Sequence, residues 1–421
     1  MKIAWSILIL INFFLAGAYA QQNTSQLIAS LNSKITEVKS FNSDDQSEFD
    51  ILAEKFNGFK IIGLGEATHG TREFYEYKAK LIKYLILHFK LKTVVFESDM
   101  VGMESINAFV MNDENQDLKK AMNGLLGIYR TQEVADLVRW IKDYNLGKPA
   151  GQKVVVAGMD ANLPYYIASR ILTSNLLLPY LDDQLKKDLA EIREMPERRN
   201  FGSARKKYLL QVAARLKTIV NKNPDSSLLY SHYIRLLEQS LNLINLDDIA
   251  LNTTRDAQMA ENIEWLAAKT DVDETVAVWG HNGHISADKW RGYKAMGMHL
   301  RKRFKFKYYA LGLAVGEGYA RLWNAADNQP FHRAPLPKIE NTEQFEFLGR
   351  QLKYPNFFLS LNDTDPDHRL DLYFSRPVYM RVLGAQTVRS ERDILLPVRI
   401  DKSFNGILFF RETNDATEMS F

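Results

Sequence analysis

Lys60-Ile61-Ile62-Gly63-Leu64-Gly65-Glu66-Ala67-Thr68-His69-Gly70 is the stretch from which the rest of the chain can be read. Ile61, Ile62 and Leu64 form a short apolar run of the kind that makes a buried strand. A helix-like segment starts near Thr71, with helical periodicity from Phe74 to Phe89. Glu66 and His69 therefore stand three residues apart where a strand hands over to a helix. Gly65 and Gly70 let the backbone turn sharply and approach a ligand closely.

The same pattern recurs. Thr93–Phe96 leads to Glu97, Ser98 and Asp99; Lys153–Ala157 leads to Asp160 and Asn162; Thr275–Trp279 leads to His281 and His284; Tyr308–Leu313 leads to Glu317. Helical periodicity lies between most of these runs, as in Gln132 to Tyr144. Alternation of this sort predicts an α/β fold, a mostly parallel central sheet flanked by helices. In such folds ligands bind beyond the carboxyl ends of the strands, where these loops gather. Residues 163–250 break the rhythm and read as an inserted helical subdomain, a lid, with Tyr165, Tyr166, Leu177 and Tyr180 available to cover a substrate. The expected organisation is a signal peptide at 1–20, an N-terminal leader and helix at 21–50, core at 51–162, the insertion at 163–250 and core again at 251–421. Leu27, Ile28, Leu31 and Ile35 suggest a short early helix, and 414–421 reads as a frayed end.

The chain has 421 residues, 46% hydrophobic and 25% charged, which is enough for a large core. Its net charge of +3 gives no reason to expect nucleic acid as a partner. Lys2, the apolar run Ile3 to Leu15 and Ala18-Tyr19-Ala20 have the pattern of a secretory leader cleaved before Gln21. No later segment is long and apolar enough to span a bilayer. The absence of cysteine excludes disulfides, a cysteine nucleophile and cysteine-ligated zinc. Export without cysteine fits a bacterial periplasmic or secreted protein held together by its core; a monomer is expected.

A histidine is the side chain whose ordinary titration falls near neutrality, so His69 is the candidate to take a proton from water and return it to a leaving group. A carboxylate must fix its tautomer, and Glu66 and Glu97 are the candidates, with Asp160 a third. His281 and His284 are available to donate hydrogen bonds to a developing oxyanion, or one of them to act as a second acid–base group. Arg72 and Lys78 follow His69 on the next helix and can stabilise negative charge. Glu66, His69, His281 and His284 would also make a ligand set for zinc or manganese, although their spacing matches no short metal motif. There is no GxSxG elbow, GxGxxG loop or P-loop, so neither a serine nucleophile nor a nucleotide cofactor is expected.

At these residues the chain resembles the erythromycin esterase family. The resemblance lies in Gly65–Gly70 with Glu73-Phe74, Phe96-Glu97, Gly158-Met159-Asp160, Arg255-Asp256 with Met259-Ala260, Gly280–His284 and Phe409–Thr413. It implies hydrolysis of a carboxylic ester, in the best-known members the macrolactone of macrolide antibiotics. It implies His69 as general base without a covalent acyl-enzyme, Glu66 and Glu97 in support, and His284 at the carbonyl oxygen. Two departures stand out: Lys78 replaces an arginine common in the family, and Leu126–Arg130 replaces a tryptophan-rich stretch. The leading expectation is a cofactor-free hydrolase of a small-molecule ester or lactone. Its rivals are an exported enzyme acting on a cell-envelope lipid or polysaccharide ester, and a silent binding protein of the same fold.

Overall fold

Apolar runs bounded by turns become the strands of one sheet in the computed structural model, which describes residues 24–39, 47–114, 117–195, 201–222, 228–324, 329–362 and 368–419. The leader expected over residues 1–20 lies outside them. Among the described residues no helix is long and apolar enough to cross a membrane. The strands are β1 (Ile35–Glu37), β2 (Ile61–Leu64), β3 (Leu91–Asp99), β4 (Val155–Asp160), β5 (Thr275–Trp279), β6 (Tyr308–Asn324), β7 (Gln329–Pro335), β8 (Asn356–Ser360) and β9 (Gly406–Thr413). Across the sheet they run β1-β8-β9-β6-β2-β5-β3-β4, with β7 against the far half of β6. The stretch from β9 to β4 is parallel throughout. Antiparallel β8 and β1 extend one side, and β7 folds back on β6. The sheet is thus mixed but mostly parallel.

The helices on and around it include α1 (Arg72–His88), α2 (Gln132–Asn145), α3 (Pro164–Leu172), α4 (Asp183–Arg193), α5 (Ser203–Lys222), α6 (Leu228–Asn242), α7 (Asp248–Ala267), α8 (Asn282–Ile285) and α9 (Met296–Phe304). Side chains along a strand alternate between faces. Ile62, Leu64, Ala277 and Trp279 accordingly pack on one face with Phe74 and Leu81 of α1 and Leu137 and Ile141 of α2. Ile61, Val276 and Val278 pack on the other with Met259 and Ile263 of α7 and Leu300 of α9. Burial on both faces explains why β2 and β5 are apolar without alternation.

Helices α3 to α6 follow β4 and share a separate core that includes Ile167, Leu185, Leu189, Leu209, Leu216 and Leu237. Pro164 occupies the first turn of α3, where its missing N–H costs nothing, and the Asp182 side chain caps α4 by accepting from the Leu185 amide at 2.8 Å. Leu177, expected to face a substrate, is 1% exposed inside this core.

Three local expectations change. Ile35 starts β1 rather than extending a helix. The run expected at Tyr308–Leu313 continues to Asn324, because its second half finds a hydrogen-bonding partner in β7. The described part of the end expected to fray is docked: the Ala416 amide donates to Gly70 O at 2.9 Å, and Glu73 and Glu133 carboxylates accept from the Asn414 and Thr417 amides at 2.8 Å each. Buried amides that find acceptors stay ordered.

Candidate active site

Strand order brings distant loops together. Leu64 and Phe96 both pair with Trp279, so β2 and β5 end level with each other and β3 continues past them to Asp99. Neighbouring strands lie ~4.8 Å apart, so the residues just past those ends share one crevice at the carboxyl edge. Glu66 and His69 follow β2, His281 and His284 follow β5, Glu97 lies two residues before the end of β3 and Asp160 ends β4. The crevice needs thin backbone: a Cβ on Gly65 would lie 2.1 Å from Asn282 Oδ1. Gly70 has φ 71°, a left-handed conformation that glycine adopts without strain. The two histidine loops do converge, the His69 and His281 ring centroids lying 5.1 Å apart.

His69 Nδ1 lies 2.7 Å from Glu66 Oε2. A carboxylate there selects the tautomer with the proton on Nδ1 and leaves the Nε2 lone pair free. Among the described residues Nε2 has no protein hydrogen-bond partner. The other Glu66 oxygen accepts from Lys78 Nζ and from Trp279 Nε1, each at 2.5 Å. Glu66 and Lys78 are both fully buried. Burial pushes the Glu66 carboxyl up, but Lys78 and His69 outweigh it and hold the group below its ordinary value. Burial lowers Lys78 to about 8 against the attraction of Glu66. The Lys78 ammonium also sits 4.0 Å from the Trp279 ring centroid. Lys78 therefore stands behind Glu66 and not over the crevice, which corrects its expected place at a substrate oxygen.

A second network centres on Glu97. Its Oε1 lies 3.2 Å from both Arg255 Nη2 and His284 Nε2, and its Oε2 accepts from the His281 amide at 3.0 Å. His284 Nδ1 lies 2.8 Å from Asp256 Oδ1. Burial disfavours a charged imidazole, but Asp256 and Glu97 overcome this and raise His284 to about 10. Burial likewise raises Glu97, but His284 and Arg255 hold it well below the usual carboxylate range. Asp160 Oδ2 accepts from Arg255 Nε at 2.8 Å and so fixes the guanidinium, through which Asp160 acts on the site.

The remaining residues fall elsewhere. His281 Nδ1 accepts from the Gly283 amide at 3.1 Å, capping α8, and Nε2 lies 3.3 Å from Leu383 O. Burial and the neighbouring His69 lower it to about 3. Its ring is a neutral strut with both nitrogens engaged, not the free donor expected. Arg72 turns to Glu133, 3.8 Å away beside the docked tail, and joins neither network. Tyr75 steadies the His69 loop, accepting from the Gly70 amide at 2.8 Å.

Residue-by-residue reading gave Arg255 and Asp256 no role. A usable signal was present. Asp256, Met259 and Ile263 fall on one helix face, and a carboxylate on an otherwise apolar stripe must have a buried partner. Among the described residues no group of three or more His, Asp or Glu side chains is arranged to hold a metal ion.

The arrangement offers a base with a free lone pair beside a paired Arg255–His284 cation cluster. That combination suits attack by water on a polarised carbonyl. Comparison with known proteins places the chain in a family. The profile described as erythromycin esterase matches residues 90–413. YbfO of Bacillus subtilis (strain 168) is 24% identical over 312 residues, covering 63% of this chain and 67% of that protein. Erythromycin esterase type II of Escherichia coli is 21% identical over 354 residues, covering 74% and 80%. A crystal structure of a Bacillus cereus protein superposes with a TM-score of 0.81 at 21% identity, covering 94% of this chain and 99% of that one. At that identity the superposition speaks for the fold alone.

Proposed function

Because the chain belongs to the erythromycin esterase family of hydrolases, we propose that it cleaves a carboxylic ester with water activated by His69. The observation that carries this is the Lys78–Glu66–His69 relay, which leaves one imidazole nitrogen free in the crevice. Water placed beside His69 Nε2 gives up its proton as its oxygen attacks the carbonyl carbon. Glu66 supports the imidazolium that forms. Four carboxylates (Glu66, Glu97, Asp160, Asp256) face three cations (Lys78, Arg255, His284), so a proton arriving on His69 brings the cluster to neutrality.

Arg255 takes the oxyanion. Its Nη1 lies 3.2 Å from His284 Nε2. With that nitrogen protonated toward Glu97 it cannot accept, so the Nη1 hydrogens remain available to the substrate oxygen. His69 then returns its proton to the departing alkoxide.

The reaction is read as metal-independent. Glu66 and Glu97 already serve Lys78, Trp279, Arg255 and the His281 amide, and Lys78 and Arg255 would repel a divalent cation. The substrate we favour is a macrolide lactone, as the name of the Escherichia coli relative suggests. Helices α3 to α6, with the close Tyr165–Tyr166 ring pair, would act as a lid over it. A cleaved leader would place the enzyme in the periplasm or outside the cell, where it meets the antibiotic before entry.

Mass spectrometry of erythromycin incubated with the mature protein tests this. The expected product is heavier by one water, formed equally after exhaustive chelation and absent with folded His69→Ala. Intact erythromycin alongside hydrolysis of simpler envelope-type esters would move the substrate class while keeping the chemistry. Loss on chelation restored by zinc or manganese would overturn the metal-free version.

A further inference from the structure

A second cavity, of about 200 Å³, lies beside the free edge of β4 between α6 and the end of α7. Trp265 and Arg255 are ten residues apart on α7, so the cavity stands roughly 15 Å along that helix from the catalytic cluster. Most of its lining is apolar, from Met100, Met103, Leu236 and Leu266. His232 breaks that pattern. It is 5% exposed, and among the described residues neither of its buried ring nitrogens has a hydrogen-bond partner. A buried polar group left so costs ~1–3 kcal/mol, which a ligand at the site would recover.

The surroundings indicate which ligand. The His232 ring lies flat on Trp265, centroids 3.6 Å apart and planes 3° from parallel. Lys269 Nζ sits 3.1 Å from the Trp265 centroid. Two groups cannot share one ring face at those distances, so imidazole and ammonium flank opposite faces of the indole. Trp265 is half-buried and Lys269 exposed, which gives the cavity a cationic rim. Burial, then Arg235 and Lys269, lower the His232 pKa to about 3, so the ring is neutral and positive potential reaches it. Among the described residues the one carboxylate in the lining, Glu104, is already paired with Arg170 at 3.2 Å and with the Tyr233 hydroxyl.

We propose that this cavity binds a small, flat, apolar carboxylate, its aryl or branched body among the methionines and leucines and its carboxylate accepting from the His232 N–H under the field of Lys269. The size fits: a cavity of ~150 Å³ accommodates a benzene-sized body.

Calorimetric titration of the full protein with benzoate and with toluene tests this. Benzoate is expected to bind saturably, and toluene at least about ten-fold more weakly, since a hydrogen bond to a charged group is lost. His232→Phe keeps the stack on Trp265 and removes both nitrogens; Lys269→Met removes the cation. Each should weaken benzoate at least about ten-fold, with circular dichroism reporting the fold, while His69→Ala should leave benzoate binding unchanged. Should His232→Phe fail to fold, Lys269→Met decides. No saturable binding at millimolar benzoate, equal affinity for toluene, or undiminished affinity in the folded variants would overturn the assignment.

Discussion

The Nδ1 nitrogen of His69 and the Oε2 oxygen of Glu66 are 2.7 Å apart, and the other Glu66 oxygen is held by a fully buried lysine. The imidazole is thus oriented by a carboxylate that is itself fixed and kept charged. Replacing Glu66 by Gln keeps the shape and removes the charge. Turnover should fall at least about 100-fold, the scale of general-base catalysis. The uncompensated Lys78 charge should cost about 3–5 kcal/mol of stability. Steady-state kinetics and urea denaturation measure the two effects separately.

Lys78 introduces an alkaline limit. Its pKa is lowered to about 8, so above that pH the ammonium is lost and Glu66 loses its counter-charge. Activity should decline through pH 8. Lys78→Arg, which stays charged, should move that decline upward wherever the larger group is accommodated. A pH–rate profile in which wild type shows no inflection near 8 would exclude this role.

His284 couples folding stability to pH. Its pKa is raised to about 10 from 6.5 by Asp256 and Glu97. The folded state therefore holds the proton more tightly. This contribution is fully present below pH 6.5 and disappears as pH rises toward 10. Asp256→Asn should destabilise the protein at pH 6 and do so progressively less toward pH 10. A pH-independent loss in denaturant titrations would contradict the assignment.

Arg255→Lys keeps a charge but loses the planar fork that spans Asp160 and Glu97. The expected result is a drop in kcat of about 100-fold or more with a smaller change in KM, the pattern of a group acting on transition-state charge. A change confined to KM would assign Arg255 to ground-state binding instead.

The docked end should matter to a loop far away in sequence. Ala416 donates its amide to Gly70 O, next to His69. Truncation after Thr413 should lower both melting temperature and turnover, with hydrogen exchange increased at residues 67–72. Unchanged exchange in that loop would show that the tail is dispensable to the site.

Much of this was legible in the chain itself. Short apolar runs ending in Glu66, Glu97, Asp160 and His281 announced a parallel sheet and the edge at which chemistry would gather, because strands buried on both faces have no polar residues to spare. Periodicity likewise exposed the helices, and the spacing of Glu66 and His69 is local. Tertiary structure alone decided who meets whom. The order β2-β5-β3 sets His281 between the other two loops, and no local pattern encodes strand order. Lys78 was in view as a charge, but only packing turned it inward to Glu66. Arg255 and Asp256 gained their partners because α7, packed on one face of the sheet, brings its first half to Glu97, Asp160 and His284. Patterning reports burial one residue at a time, whereas a hydrogen bond such as that from Trp279 to Glu66, 213 positions apart, exists only once the chain has closed around it.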